Sequence, residues 1–141
     1  MKLQPATFVV VLSLAATLSA ARAHAMQNPQ LSVNDPIILS DTHGYNFEPY
    51  INAMTARVRT KWYSGMPDSA RQGQKGRVVV IFTVVRAGTI QDVHIVSSSG
   101  TGSLDEAATA AVQAISPLPQ LPADFSDNSI VVQFAFLYNQ R

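Results

Sequence analysis

A run of β-branched and aromatic side chains from Arg77 to Val85 (RVVVIFTVV) constrains the fold of this chain more than any other feature. Such residues favour strands, and apolar residues at nearly every position are typical of a strand covered on at least part of both faces. The short segment Arg86-Ala87-Gly88-Thr89 follows, with a glycine where a turn can use a positive φ. Ile90 to Ser98 then returns, and its middle, Val93-His94-Ile95, alternates as a strand with one exposed face does. The sequence therefore predicts a β-hairpin.

A helix is predicted before the hairpin. Asn46 is a candidate N-cap, and Gly65 and Pro67 would end the helix. Apolar residues fall at helical intervals in between, so one face is expected to be buried. These residues are Phe47, Tyr50, Ile51, Met54, Val58 and Trp62. The basic residues Arg57, Arg59 and Lys61 lie on other faces and are interpreted as a solvated surface.

A second helix is predicted after the hairpin. Ser103 opens it, and Glu106 completes an S-x-x-E capping box. Its apolar stripe is interpreted as a core face. The stripe consists of Leu104, Ala107, Ala108, Ala111, Val112 and Ile115. Pro117 ends the helix, and the proline-bearing segment Leu118–Pro122 is interpreted as an extended connector.

The last predicted element is a strand from Ser129 to Tyr138, in which bulky apolar residues alternate with smaller or polar ones. The order of elements is then α-β-β-α-β. The predicted fold is a small single α+β domain, with a three-stranded antiparallel sheet and two helices packed on one face.

The first 25 residues have the features of a secretory signal peptide. Lys2 provides a positive start, Ala6 to Ala21 is apolar, and A-x-A cleavage signatures end at Ala23 and Ala25. The alternative is an uncleaved N-terminal membrane anchor. With either interpretation the domain lies outside the cytoplasm.

Residues 26–44 carry two prolines and lack a sustained periodicity, which predicts a linker or extended arm. Within it, the apolar patch Ile37-Ile38-Leu39 could dock on the domain. Residues 45–141 are assigned to the domain.

The residue types needed for catalysis do not converge in this sequence. There is no cysteine, and of His24, His43 and His94 only His94 lies in the predicted domain, so no metal cluster is expected. Ser97-Ser98-Ser99-Gly100 does not match the G-x-S-x-G nucleophile motif. Asp105 and Glu106 suit the dipole of a helix start and not a facing acid–base pair. We expect no enzyme activity, no metal and no cofactor.

The charge balance also restricts the possible partners. Without Lys2 and Arg22 of the leader, eight basic residues stand against nine acidic ones, a net charge of −1. Nucleic acid is therefore not an expected partner, and a membrane is one only if the leader stays uncleaved.

Several segments together carry a resemblance to a known family. They are Tyr50–Trp62, Gly76–Val84, Gly88-Thr89-Ile90, Val96-Ser97-Ser98-Ser99-Gly100, Leu104-Asp105-Glu106-Ala107-Ala108, Pro117-Leu118-Pro119, Leu121-Pro122 and Phe134-Ala135-Phe136-Leu137-Tyr138. In their order and spacing they resemble the C-terminal domain shared by TonB-type energy transducers and TolA-like proteins. Ala87 before the turn glycine and Leu118 in the connector depart from the family pattern. The resemblance covers about Tyr45 to Asn139.

The resemblance implies a periplasmic binding module that supports envelope transport. Such domains pair a sheet edge with an extended peptide of an outer-membrane receptor, the TonB box, or bind another envelope protein. The edge implied here is the last strand, which comprises Ser129, Ile130, Val131, Val132, Gln133, Phe134, Ala135, Phe136, Leu137 and Tyr138. An unpaired edge of this kind could also form a homodimer.

A full transducer differs from this chain in its N-terminal part. The leader lacks the S-x-x-x-H pattern of a transducer anchor, and the segment from Met26 to Tyr45 can reach at most ~70 Å. The chain therefore fits a short periplasmic relative better than a complete transducer. The alternatives are an inner-membrane-anchored form facing the periplasm, a TolA-like scaffold of envelope integrity, and a secreted dimerising accessory domain.

Overall fold

The structure, a computed structural model, describes residues 31–34 and 36–140. The predicted leader and the first part of the predicted linker lie outside the described residues. The described elements are β1 (Leu31–Val33), β2 (Ile37–Ile38), α1 (Glu48–Ser64), α2 (Asp68–Arg71), β3 (Gly76–Val85), β4 (Ile90–Ser97), α3 (Gly102–Ala114) and β5 (Ser129–Tyr138).

The predicted α+β class and antiparallel sheet are confirmed, with two differences in the elements. The sheet of the described residues has five strands and not three, because β1 and β2 of the predicted linker join it. The short helix α2 was not predicted, since its four residues offer too little length for a helical period.

The centre of the sheet is the antiparallel pair β3–β5. The two strands pair along their whole length, from Gly76 opposite Tyr138 to Val85 opposite Ser129. β4 pairs with the other side of β3, as the predicted hairpin requires. The strand order is β1-β5-β3-β4, with β2 also on β5.

The even-numbered side chains of β3 and β5 form the core with the helices. Trp62 of α1 packs edge-on against Phe136 and Tyr138, with ring centroids 5.2 and 5.0 Å away. The buried residues of the predicted stripe are Leu104, Ala108, Ala111 and Val112 in α3 and Ile115 just beyond the helix. Burial of these apolar side chains is the main stabilising contribution to the fold.

One polar chain crosses this apolar core. Trp62 Nε1 donates to the Tyr138 hydroxyl at 2.7 Å, and that hydroxyl donates to the Leu104 carbonyl at 2.9 Å. Burial raises the pKa of Tyr138 to about 12, although the hydrogen bond from Trp62 acts against this. The hydroxyl therefore remains a donor at neutral pH and joins α1, β5 and α3.

The structure corrects both predicted helix caps. Phe47 and not Asn46 is the N-cap residue of α1, and Asn46 lies one residue earlier, where its Oδ1 accepts from Glu48 N at 3.0 Å. The capping box is wrong, because α3 begins at Gly102 and Ser103 lies inside it, where its hydroxyl meets that of Ser69 at 2.7 Å.

Asp105 ties the start of α3 to the segment that precedes it. Its carboxylate accepts from the Ser99 amide at 2.9 Å and from the Ser99 hydroxyl at 2.7 Å, and also from the Ser98 hydroxyl. Partial burial tends to raise the pKa of Asp105, but these hydrogen bonds outweigh it and lower that pKa. Asp105 thus holds the serine-rich loop against α3.

Candidate functional site

The predicted binding edge, β5, lies inside the sheet. β3 pairs with one side of it, and β1 and β2 pair with the other. This corrects the expectation that the strand has an unpaired side. The physical reason is that residues 31–38 supply backbone partners for it, although they show no strand-length pattern in the sequence. Peptide binding by β5 stays a prediction.

We call residues 31–40 the arm. Asn34 N donates to the Ala135 carbonyl at 3.0 Å, and Leu39 N donates to the Val131 carbonyl at 2.8 Å. Val131 N in turn donates to Ser40 Oγ at 3.0 Å. Because backbone groups alternate sides along a strand, the odd-numbered residues of β5 direct their N–H and C=O groups toward the arm. The arm thus occupies the outer hydrogen-bonding edge of β5.

The register between the arm and β5 shifts by one residue. Val33 lies opposite Phe136 and Ile38 lies opposite Val132. The arm advances five residues between these two pairs, whereas β5 advances four. The extra residue lies between the two paired runs, and Pro36 in that interval has no N–H to donate. The arm therefore pairs in two short runs and not as one continuous strand.

The side chains of the arm are buried unequally. Val33 is 7% exposed and belongs to the core, and Ile38 packs against the core from its rim. Ile37 and Leu39 are 52% and 49% exposed. Among the arm residues whose side chains the structure describes, Val33 lies in the core and Ile38 packs against it.

His43, which follows the arm, attaches the chain to Asp127 in the loop before β5. Its Nε2 lies 2.9 Å from Asp127 Oδ2, and its Nδ1 lies 3.5 Å from Asp41 Oδ2. The hydrogen bond to Asp127, then the charges of Asp127 and Asp41, raise the pKa of His43. His43 also has a positive φ of 50°, so the chain turns sharply at this point.

Arg86 fixes the loop that carries Asp127. Its guanidinium donates to the Phe125 carbonyl at 2.6 Å, to the Pro122 carbonyl at 3.3 Å and to the Asp127 carbonyl. Phe125 packs against Phe47 at the start of α1, with ring centroids 4.8 Å apart. The partner of His43 is therefore held by the hairpin turn and the core.

The ten residues of β5 fall into two sets by side chain. The even-numbered ones, Ile130, Val132, Phe134, Phe136 and Tyr138, are fully buried against the helices. The odd-numbered ones, Ser129, Val131, Gln133, Ala135 and Leu137, lie on the opposite face, and all of them except Ala135 are half-buried. A strand added beside β5 would form hydrogen bonds with the backbone groups of the odd-numbered residues. Its side chains would contact the outer edges of the even-numbered, buried side chains.

The other edge of the sheet, β4, is less suited to take a further strand. Its pairing with β3 shifts register twice, between Val79 and Val80 and between Ile81 and Thr83. Asp92 lies in the second irregular stretch with a φ of 56°. Bulges and a charge on an edge strand oppose pairing with another chain.

A groove of about 480 Å³ lies between α1 and the end of α3. Arg57 and Lys61 line one wall, and Ile115 and Pro117 line the other. Arg57 Nη1 donates to the Pro117 carbonyl at 3.5 Å, which links α1 to the residue directly before the connector.

No cluster of three or more histidine and carboxylate side chains that could hold a metal ion occurs in residues 31–34 and 36–140. No helix in that part of the chain is long and apolar enough to cross a membrane.

Sequence reasoning missed the residues that cover β5. Val33 and His43 stand in a segment without periodicity and carry no motif. The signal that could have found the arm was the apolar patch Ile37-Ile38-Leu39, whose docking was expected only as a possibility. Of this patch, Ile38 packs against the core, whereas Ile37 and Leu39 stay about half exposed.

The fold and this edge define a class of protein: a small α+β domain whose central strand accepts a further extended segment. The chain belongs to the TonB C-terminal family, whose family model, described as "TonB C terminal", matches residues 47–136. This is a family of energy-transduction and binding domains of the bacterial envelope. A similar solved structure is the solution structure of the Helicobacter pylori TonB C-terminal domain, with 24% identity, a TM-score of 0.49, and coverage of 70% of this chain and 86% of that chain. Comparison with curated proteins gave no match.

Proposed function

We propose that this protein is a periplasmic binding module without enzymatic activity that pairs β5 with an extended peptide of an outer-membrane receptor. The peptide adds a strand to the sheet and so connects the domain to envelope transport. Main-chain hydrogen bonds supply the affinity, and side chains at alternate positions supply the selectivity.

The observation that carries this proposal is the pairing of the arm with β5. A segment of only ten residues, with interrupted pairing, still forms main-chain bonds to Val131 and Ala135. The edge of β5 therefore has the geometry to accept an extended chain. The family membership supports the same conclusion, because binding of envelope proteins is what the family does.

The partner proposed is the N-terminal, periplasm-facing segment of a TonB-dependent receptor. The test uses synthetic peptides of such segments, long enough to cover Ser129–Tyr138, and measures binding to the full chain by fluorescence anisotropy. A matched pair of peptides carries N-methyl groups either on the residues that face β5 or on the alternate residues.

Strand addition predicts that N-methylation of the β5-facing residues abolishes binding, since each such group removes a main-chain donor. N-methylation of the alternate residues should leave binding largely intact. Equal effects of the two peptides would contradict pairing through the backbone. An absence of binding by every receptor segment would remove the receptor from the proposal.

A further inference from the structure

The arm occupies the same edge that the proposed function assigns to a partner. It is joined to α1 by residues 41–47 only, so it stays close to β5 whenever it is released. A short tether of this kind gives an effective concentration on the order of millimolar. Any partner peptide must compete with it.

The arm is nevertheless poorly fitted to β5. It pairs in runs of three and two residues, and Pro36 cannot donate between them. Ile37 and Leu39 each leave about half of their surface in solvent. An uninterrupted peptide can pair along the whole edge and so form more main-chain bonds than the arm.

We propose that residues 31–40 are a displaceable internal ligand of β5, and that the partner is an extended peptide with aliphatic side chains four residues apart. These two side chains replace Val33 opposite Phe136 and Ile38 opposite Val132. The inference rests on the proposed function, because it concerns the regulation and selectivity of the same edge.

The spacing follows from the register. β5 advances four residues from Val132 to Phe136, and a continuous partner strand advances by the same number. The arm needs five because of its extra residue. The aliphatic requirement follows from burial, since Val33 is 7% exposed and lies in the core cluster. A charged residue there would lose its hydration without gaining a partner.

A disulfide lock tests the displacement in the full chain. Ile37 and Gln133 are paired across the two strands, and the natural chain has no cysteine that could interfere. In the double variant Ile37→Cys with Gln133→Cys, the oxidised form holds the arm on β5, and the reduced form allows a competing peptide to displace it. The probes are a labelled synthetic peptide of residues 31–40 and the receptor peptides described above.

We expect the oxidised protein to bind neither probe and the reduced protein to bind. Equal binding by the oxidised and reduced forms would overturn the inference. Any receptor binding would then take place at another surface, and the proposed pairing with β5 would fail together with the inference. Conversely, binding of the 31–40 peptide by the reduced protein without binding of any receptor peptide would remove the receptor and keep the displaceable arm.

A matched pair of single variants tests the arm without a crosslink. Val33→Asp weakens the arm and should tighten binding of the wild-type 31–40 peptide about tenfold or more, because a larger fraction of molecules is then competent to bind. Ile37→Asp changes the same arm at an exposed position and should leave binding near the wild-type value.

The selectivity is tested with the same probes. A 31–40 peptide that itself carries Val33→Asp should not bind the Val33→Asp protein. A peptide with valine and isoleucine four residues apart should bind that protein more tightly than the wild-type 31–40 peptide does. If Val33→Asp protein binds the wild-type peptide no more tightly than Ile37→Asp protein does, the arm is not a competitor.

Discussion

At the scale of single residues, the Tyr138 hydroxyl connects three elements through two hydrogen bonds. Tyr138→Phe leaves the buried Trp62 N–H without its acceptor and removes one bond to the Leu104 carbonyl. We expect a loss of about 1–3 kcal/mol in the free energy of unfolding, measured by urea denaturation. Tyr50→Phe is the control, since the bond from Tyr50 to the Pro119 carbonyl is at the surface and its loss should cost about 1 kcal/mol or less. Equal losses would contradict this account.

Gly88 in the hairpin turn is constrained in two ways. Its φ is +93°, and a Cβ there would lie 2.0 Å from the Leu118 carbonyl oxygen. Gly73 has a similar φ of +96° with open space around it, so Gly73→Ala isolates the conformational cost, about 1–2 kcal/mol. Gly88→Ala should cost about 1–3 kcal/mol more, because the connector must move. Thermal or urea unfolding of both variants gives the comparison, and equal costs would mean that the close approach is unimportant.

The His43–Asp127 contact makes the fastening of the arm depend on pH. The pKa of His43 is raised in the folded state, so the stabilisation is fully present below the unfolded value of about 6.5 and is lost as pH rises through the folded pKa. The groups that face His43 are Asp127 and Asp41, with Arg86 behind Asp127. The exchange rate of the Leu39 amide is compared between the wild type and His43→Asn at each pH. We expect slower exchange in the wild type at acidic pH and equal rates at alkaline pH. Asparagine tolerates the positive φ at this position, and an NMR titration giving His43 an ordinary pKa would contradict the account.

Individual residues also explain where sequence reasoning succeeded and failed. Trp62, Phe136 and Leu104 were predicted to be buried because periodicity alone determines which face they occupy. Ser103 was misassigned as a cap, since the pattern S-x-x-E cannot tell whether a helix starts two residues earlier, as α3 does after Thr101. The role of His43 was not predictable, because its partner Asp127 is far away in the sequence and meets it only after folding.

At the scale of elements, the arm and the β3–β5 pair should differ in local stability. β3 and β5 pair over ten residues in the middle of the sheet, whereas the arm pairs in two short runs at its edge. Hydrogen exchange should therefore give a lower free energy of opening for the amides of Asn34 and Leu39 than for the amide of Phe134, whose N–H faces β3. Exchange of all three amides by one global opening would mean that the arm cannot leave separately, which displacement requires.

The elements themselves were predictable in proportion to their length. The two long helices, the hairpin and the last strand each carry enough residues to display a period. β1 and β2 have three and two residues, too few for alternation to be recognised. This is why the sequence indicated an open edge on β5, although the strand itself was correctly placed.

At the scale of the whole molecule, the domain holds one of its own segments on the strand where we propose that a partner pairs. The helices cover one face of the sheet. Irregular pairing at β4 and the arm on β5 oppose the addition of a strand from another chain. Protected edges limit unwanted association between sheets. A protecting segment that is only weakly paired leaves β5 available to a better-fitting strand.

We propose that the partner binds to β5, and mapping of amide chemical-shift changes decides whether it does. The ¹⁵N-labelled full chain is titrated with a receptor peptide that binds it. The account predicts that shifts concentrate at Val131, Gln133, Ala135 and Leu137, while Asn34 and Leu39 move toward the shifts of an unpaired chain. Shifts confined to β4, or to the groove beside Arg57 with the arm unchanged, would contradict it.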